Sequence, residues 1–592
     1  MEINNKKWNL KYFIFLGGFI FYISYIIYIY WNIPFFDTMF DFLWLPEKFH
    51  EGTLSLGDFR FHYGEHGMMG YSLLYLLNTL FFNLSMRFEI LLNTILVILN
   101  GIVACIIYCK TLEKRNFLFY IGFALIVLVM FSPTQGFHSG MSIQIRLGIT
   151  LAFITLFYSE KIYQSEKSSI SSYILLYVLL VLSYIVFGTF YTFSWIAAII
   201  FIYTSRMIYE KVKKVQNRND AYYIEIAIMF ICVVVYFLFY RPSIGNQLSK
   251  NNENVFVFIL NLFKFITVSM GSATLPWDAV ADGHLSKNIL LLNSLFITII
   301  TFIALLLYCI TKMWKKTLVP PIMILYSVFT FIQIYLGRAD SNIFHSYNSW
   351  YNVHTKYMLT AVIWIYFYTV VDSNRIDIKS NILKPIIVQG ISGFLIAIAI
   401  TLFFIGFIIF SNRVPYLKAW YDRKIPYLIG EYALTSDENG STELLVPYDK
   451  AMQGIEILRK YKLNVFRYGN IANTLQPYVR YSGFHDKEIN GNWIEGNASI
   501  IIENNSTATR FFLKGYYPEN WPENYITVTI NENESTTSVL VPGNTFMVEL
   551  DFINNLQTIS IDLKTEKSFI PRDEGWNEDN RELGAFITHW SL

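Results

Sequence analysis

Apolar stretches about as long as a bilayer is thick recur along the first two thirds of this chain, and they limit its fold more than any other feature. A backbone crossing hydrocarbon must satisfy its own hydrogen bonds, so these stretches have to be helices packed on one another. Spans are expected near 12–31, 88–108, 117–134, 147–159, 170–187, 189–205, 221–240, 289–310, 318–337, 359–373 and 387–410, about eleven in all. The low charge agrees, since 15% Asp, Glu, Lys and Arg is well below the roughly 25% of soluble domains. The net charge of +2 carries no basic stripe of the kind that binds nucleic acid. Cys105, Cys109, Cys232 and Cys309 all fall inside apolar runs, which leaves no disulfide framework outside the membrane and suits a bacterial cell envelope.

Basic residues orient the spans. Lys6, Lys7 and Lys11 precede the first. Lys110, Lys114 and Arg115 follow the second, and Arg206, Lys211, Lys213, Lys214 and Arg218 follow the sixth. Such residues stay on the cytoplasmic side, so the N-terminus is expected inside and the C-terminus outside, in a multi-pass cell-membrane protein. The first 31 residues resemble a signal peptide, but no small-x-small cleavage site follows them, and they read as an uncleaved first span. The apolar runs 68–84 and 255–275 read as helices lying in the interface, because that keeps the alternation of sides.

After Ser411 the composition changes. Residues 411–474 are expected to form an extracytoplasmic helical linker, with Ile455 and Leu458 on one face of a helix. Residues 475–592 read as a β-sandwich, with short strands at 527–530 and 559–561 and a β-branched run at 499–502. The fold class is therefore a polytopic α-helical membrane domain, 1–410, followed by an extracytoplasmic β-sandwich that could bind carbohydrate.

Chemistry-bearing residues gather in the expected outer loops. Asp37 and Asp41 are four apart and share a face if that stretch is helical, where Asp37 serves as an N-cap, a general base, or both. Glu65 and His66 close the same loop, and Asp37 with Glu65 could hold a divalent cation, Mg or Mn, through oxygen, although no metal-ligand spacing is present. Arg338, Lys356 and Tyr357 bound a later outer loop, and Arg146 lies in another; they read either as snorkelling cations or as a phosphate clamp. His345 and His354 carry no assignment. No Gly-rich phosphate loop, nucleophilic triad or zinc motif is present.

Four stretches carry a resemblance: Pro34-Phe35-Phe36-Asp37 with Gly64-Glu65-His66-Gly67; Gly337-Arg338 with His354-Thr355-Lys356-Tyr357; Leu463-Asn464-Val465-Phe466; and Ser568-Phe569-Ile570-Pro571 with the run 578–584. Together with the spans they resemble the GT-C superfamily of membrane glycosyltransferases, and within it bacterial cell-surface polysaccharide side-chain glycosyltransferases. Gly67 stands where that pattern has Arg, and Lys356 replaces another Arg. The resemblance implies an inverting transfer from a polyprenyl-phosphate (undecaprenyl-phosphate) sugar to a cell-envelope polysaccharide. It implies Asp37 as base, Glu65 and His66 beside it, and Arg338, Lys356, Tyr357 and Arg146 at the donor phosphate. Asp41 and Trp493 are the candidates for acceptor contact. A polysaccharide polymerase and a lipid-linked sugar flippase are the alternatives.

Overall fold

The structure is a computed structural model. It describes residues 3–34, 38–39, 42–63, 66–133, 141–164, 169–213, 220–240, 255–275, 285–337, 343–347, 351–372, 385–422, 424, 428, 442–468, 478–485, 492–503, 509–553, 558–575 and 579–591. The chain forms two compact units: residues 1–32 with 48–420, and residues 33–47 with 421–592.

The first unit is helical. Its elements are α1 (Ile3–Ile29), α2 (Trp44–His50, which begins in the other unit), the hairpin β1 (His62–Tyr63) and β2 (His66–Gly67), α3 (Met69–Phe82), α4 (Met86–Thr111), α5 (Phe117–Met130), α6 (Met141–Gln164), α7 (Ile170–Val181), α8 (Thr192–Val212), α9 (Asp220–Tyr240), α10 (Val255–Gly271), α11 (Lys287–Ile310), α12 (Val319–Gly337), α13 (Asn352–Asp372) and α14 (Pro385–Asp422). Among the described residues, eight helices are long and apolar enough to cross a membrane: those at 10–29, 86–111, 142–163, 192–212, 222–240, 287–310, 319–337 and 390–422. The helices at 69–82, 117–130, 170–186 and 255–271 are apolar but shorter.

Packing follows the apolar faces. Helix α12 lies against α8 and α13, α4 against α6, and α5 against α13. Trp195 and Trp364 are among the largest fully buried side chains. A π-helical turn, Leu182–Val186, ends α7, and Gly188 follows. A Cβ at Gly188 would lie 2.1 Å from the carbonyl oxygen of Tyr184, so only glycine fits this tight reversal into α8.

The second unit contains the segment 33–47, α15 (Tyr448–Lys460) and the strands β3 (Tyr478–Phe484), β4 (Asn492–Glu503), β5 (Arg510–Tyr516), β6 (Asn524–Ile530), β7 (Glu534–Leu540), β8 (Thr545–Asp551), β9 (Thr558–Thr565) and β10 (Ala585–Ser591). Ile455 and Leu458 of α15 are buried, as their spacing predicts. A Cβ on Gly454 would meet Met39 Cε at 2.8 Å and Leu43 Cδ1 at 2.9 Å, so α15 packs closely on the early segment.

The strands differ from the expected two-sheet sandwich. They form one antiparallel sheet in the order β7-β6-β9-β4-β10-β5-β8, with β3 added on β4. The end strands β7 and β8 lie next to each other, which curls the sheet into a nearly closed barrel. Alternating side chains point inward: Ile500 pairs with Ile561, Ile502 with Ile559 and Val528 with Leu563. All six are essentially buried, and each such side chain contributes roughly 1.5–3 kcal/mol.

Candidate functional site

Two cations lie inside the helical unit. Arg146 is on the second turn of α6 and Lys356 on the second turn of α13, and each is only 5% exposed. With Asn100 of α4 and Tyr357 they line a cavity of about 20 Å³, completed by apolar residues including Val97 and Met130. That volume suits one water-sized group, such as a single ligand oxygen. The Lys356 ammonium donates to the carbonyl of Ser132, just past the C-terminal end of α5, where the helix dipole favours a cation. Asn100 Nδ2 donates to Thr150 Oγ1 at 2.8 Å, while its Oδ1 has no hydrogen-bond partner among the described residues.

Aromatic rings hold the start of α13. Tyr357 meets Phe153, Trp195 and Tyr326 edge-on at centroid distances of 5.4, 5.5 and 5.7 Å. Trp195 stacks on Tyr326 at 4.2 Å. His354, close before Lys356, is fully buried; its Nδ1 is 2.5 Å from the Tyr326 hydroxyl, and its Nε2 has no hydrogen-bond partner among the described residues. The ring of Tyr191 lies 4.8 Å from His354 and 4.8 Å from His66, linking the two histidines.

His66 sits in the β1–β2 hairpin. The backbone N–H of Phe190 donates to its Nδ1 at 3.2 Å. Tyr236 and Gln144 anchor the next residue: the Gly67 N–H donates to Tyr236 Oη at 2.6 Å, and Gln144 Nε2 donates to the Gly67 carbonyl at 3.2 Å. A Cβ at Gly67 would lie 2.6 Å from the Tyr240 ring, so the arginine of the pattern that this stretch resembles would have to displace that ring.

The structure therefore brings Arg146, Lys356 and Tyr357 together and ties His66 to His354. Asp37, Asp41, Glu65 and Arg338 lie outside the described residues. Trp493 belongs to the barrel, half-buried against Trp521 and Phe586 at 5.4 and 5.1 Å. Among the described residues no group of three or more His, Cys, Asp or Glu side chains could hold a metal ion. Sequence reasoning does not single out Asn100 or Tyr326 and gives His354 no role, although His354 lies in the same motif as Lys356.

Such an arrangement is suited to an anion. The cavity the two cations share is large enough for one oxygen atom, and charge-assisted hydrogen bonds to an anion's oxygen are strong in such a setting. Compared with known proteins, the chain matches no family model, no curated protein and no solved structure.

Proposed function

We propose that the chain is an inverting glycosyltransferase that moves a sugar from a polyprenyl-phosphate donor to a cell-envelope polysaccharide on the outer face of the membrane. One observation carries this reading: two buried cations line one cavity together with an amide and a phenol. Arg146 and Lys356 hold the donor phosphate, and the eight apolar helices supply a lipid-facing setting for its tail. An acceptor hydroxyl attacks the anomeric carbon as Asp37 takes its proton. The carbon–oxygen bond to the phosphate breaks, and the polyprenyl phosphate leaves with the bonding pair. A single displacement inverts the anomeric centre. Asp37 enters through the family resemblance and the two cations through their geometry.

Purified protein with labelled polyprenyl-phosphate sugar and envelope polysaccharide tests the reading. Label appearing as side groups on existing polymer supports it. Label in lengthened chains makes the protein a polymerase, label that only changes leaflet makes it a flippase, and unchanged label removes the transferase reading.

A further inference from the structure

A second cavity in the helical unit lies away from that chemistry. It has a volume of about 220 Å³, and Lys110, Lys161, Lys315 and Lys316 line it with Glu160 and Phe157. Glu160 is fourteen residues beyond Arg146 on α6, so the cavity is roughly 20 Å along that helix from the first. The lysines mark the helix ends that the charge pattern assigns to the cytoplasm.

The charges do not balance. Lys316 forms a salt bridge with Glu113 at 2.5 Å. Glu160 accepts from the Leu318 N–H at 2.7 Å, at the N-terminal end of α12, where a carboxylate answers the helix's unpaired amides. No salt bridge among the described residues engages Lys110, Lys161 or Lys315. Lys110 lies 5.0 Å from the centre of the Phe157 ring, and Lys315 lies 5.6 Å from Trp314. Three exposed lysines thus line an open cavity in which the one carboxylate among the described lining residues, Glu160, accepts from the Leu318 amide. Ile107 and Phe157 give it an apolar wall beside the charges.

We propose that this cavity binds a phosphate group, that of an anionic glycerophospholipid headgroup in the cytoplasmic leaflet. Basic pockets between membrane helices on that side recognise such headgroups, whose diester charge meets the ammonium groups while the chains remain in lipid. The cavity is far larger than the one beside Arg146, about 220 Å³ against about 20 Å³, and has room for several phosphate oxygens. This inference rests on the membrane reading and is independent of sugar transfer.

The test uses the full chain purified in detergent and native mass spectrometry with added phosphatidylglycerol or phosphatidylcholine. The wild type is expected to retain the anionic lipid in preference to the zwitterionic one. The triple variant K110Q/K161Q/K315Q is expected to weaken that retention at least about tenfold, given that each cation near a membrane surface contributes appreciably. K211Q/K213Q, which removes two lysines at the end of α8, is expected to leave it unchanged, and K110R/K161R/K315R to preserve it. An unchanged thermal midpoint in lipid-free detergent shows that the triple variant is folded. Inorganic phosphate that displaces the lipid with the same lysine dependence keeps the phosphate site and makes its source soluble. Equal retention of both lipids, or equal retention by wild type and triple glutamine variant, overturns the proposal.

Discussion

On the proposed reading Arg146 and Lys356 offset a burial cost by binding phosphate, and single substitutions separate the two. Arg146→Gln or Lys356→Gln is expected to lower kcat/KM for a lipid-phosphate donor roughly 10- to 100-fold, the size of one hydrogen bond to a charged group. Initial rates over a range of donor concentration measure it. Lys356→Met is expected to lose the same activity while keeping or raising the thermal midpoint, because it removes a buried charge facing another cation. Asp37→Asn is expected to cost about 10²–10⁴-fold in turnover with donor binding intact, the usual range for a general base. At the edge of the helical unit, hydrogen bonds from Lys48 and Ser55 hold the Asp58 carboxyl below its ordinary range. A depressed folded value contributes stability that is present above the unfolded carboxylate value and is lost as pH falls through the lower folded one. Lys48→Met is therefore expected to loosen residues 55–61 near neutral pH, with the difference from wild type vanishing in stronger acid; amide exchange across that pH range reads it. The individual cations were legible in the sequence as basic residues in stretches expected to be outer loops. Their meeting was not, since Arg146 and Lys356 are more than two hundred residues apart and Asn100, which joins them, has no distinguishing pattern.

At the scale of elements, local pattern determined type well and partnership poorly. Apolar length marked the helices, and the β-branched run at 499–502 and the alternation at 527–530 became β4 and β6. Alternation tells which face of a strand is inward, but not whether one curled sheet or two stacked sheets supply the opposite wall, so the pattern does not distinguish the barrel from a sandwich. Gly483 shows what the strand pattern omits. It has a φ of +71°, sits where the β3–β4 register shifts, and a Cβ there would lie 2.2 Å from the Asn497 carbonyl oxygen. Gly483→Ala is expected to destabilise the barrel by about 1–3 kcal/mol, the scale of a strained backbone position, seen as a lower unfolding midpoint.

For the whole molecule, the barrel has its own core, running from Ile494 to Ile587. A fragment of residues 475–592 is expected to fold alone and unfold cooperatively, which circular dichroism on heating would show. Adding residues 442–474 without 33–47 is expected to make it prone to aggregate, because α15 then exposes the face that packs on Met39 and Leu43. That pairing joins a segment near the start of the chain to its last unit, with residues 48–420 between them. A ribosome adding roughly 5–20 residues per second takes on the order of tens of seconds to cross that interval. During that time the early segment waits without its companion helix, so a nascent protein stays unfinished until its final third has been made, and a truncated product lacks the assembled form altogether.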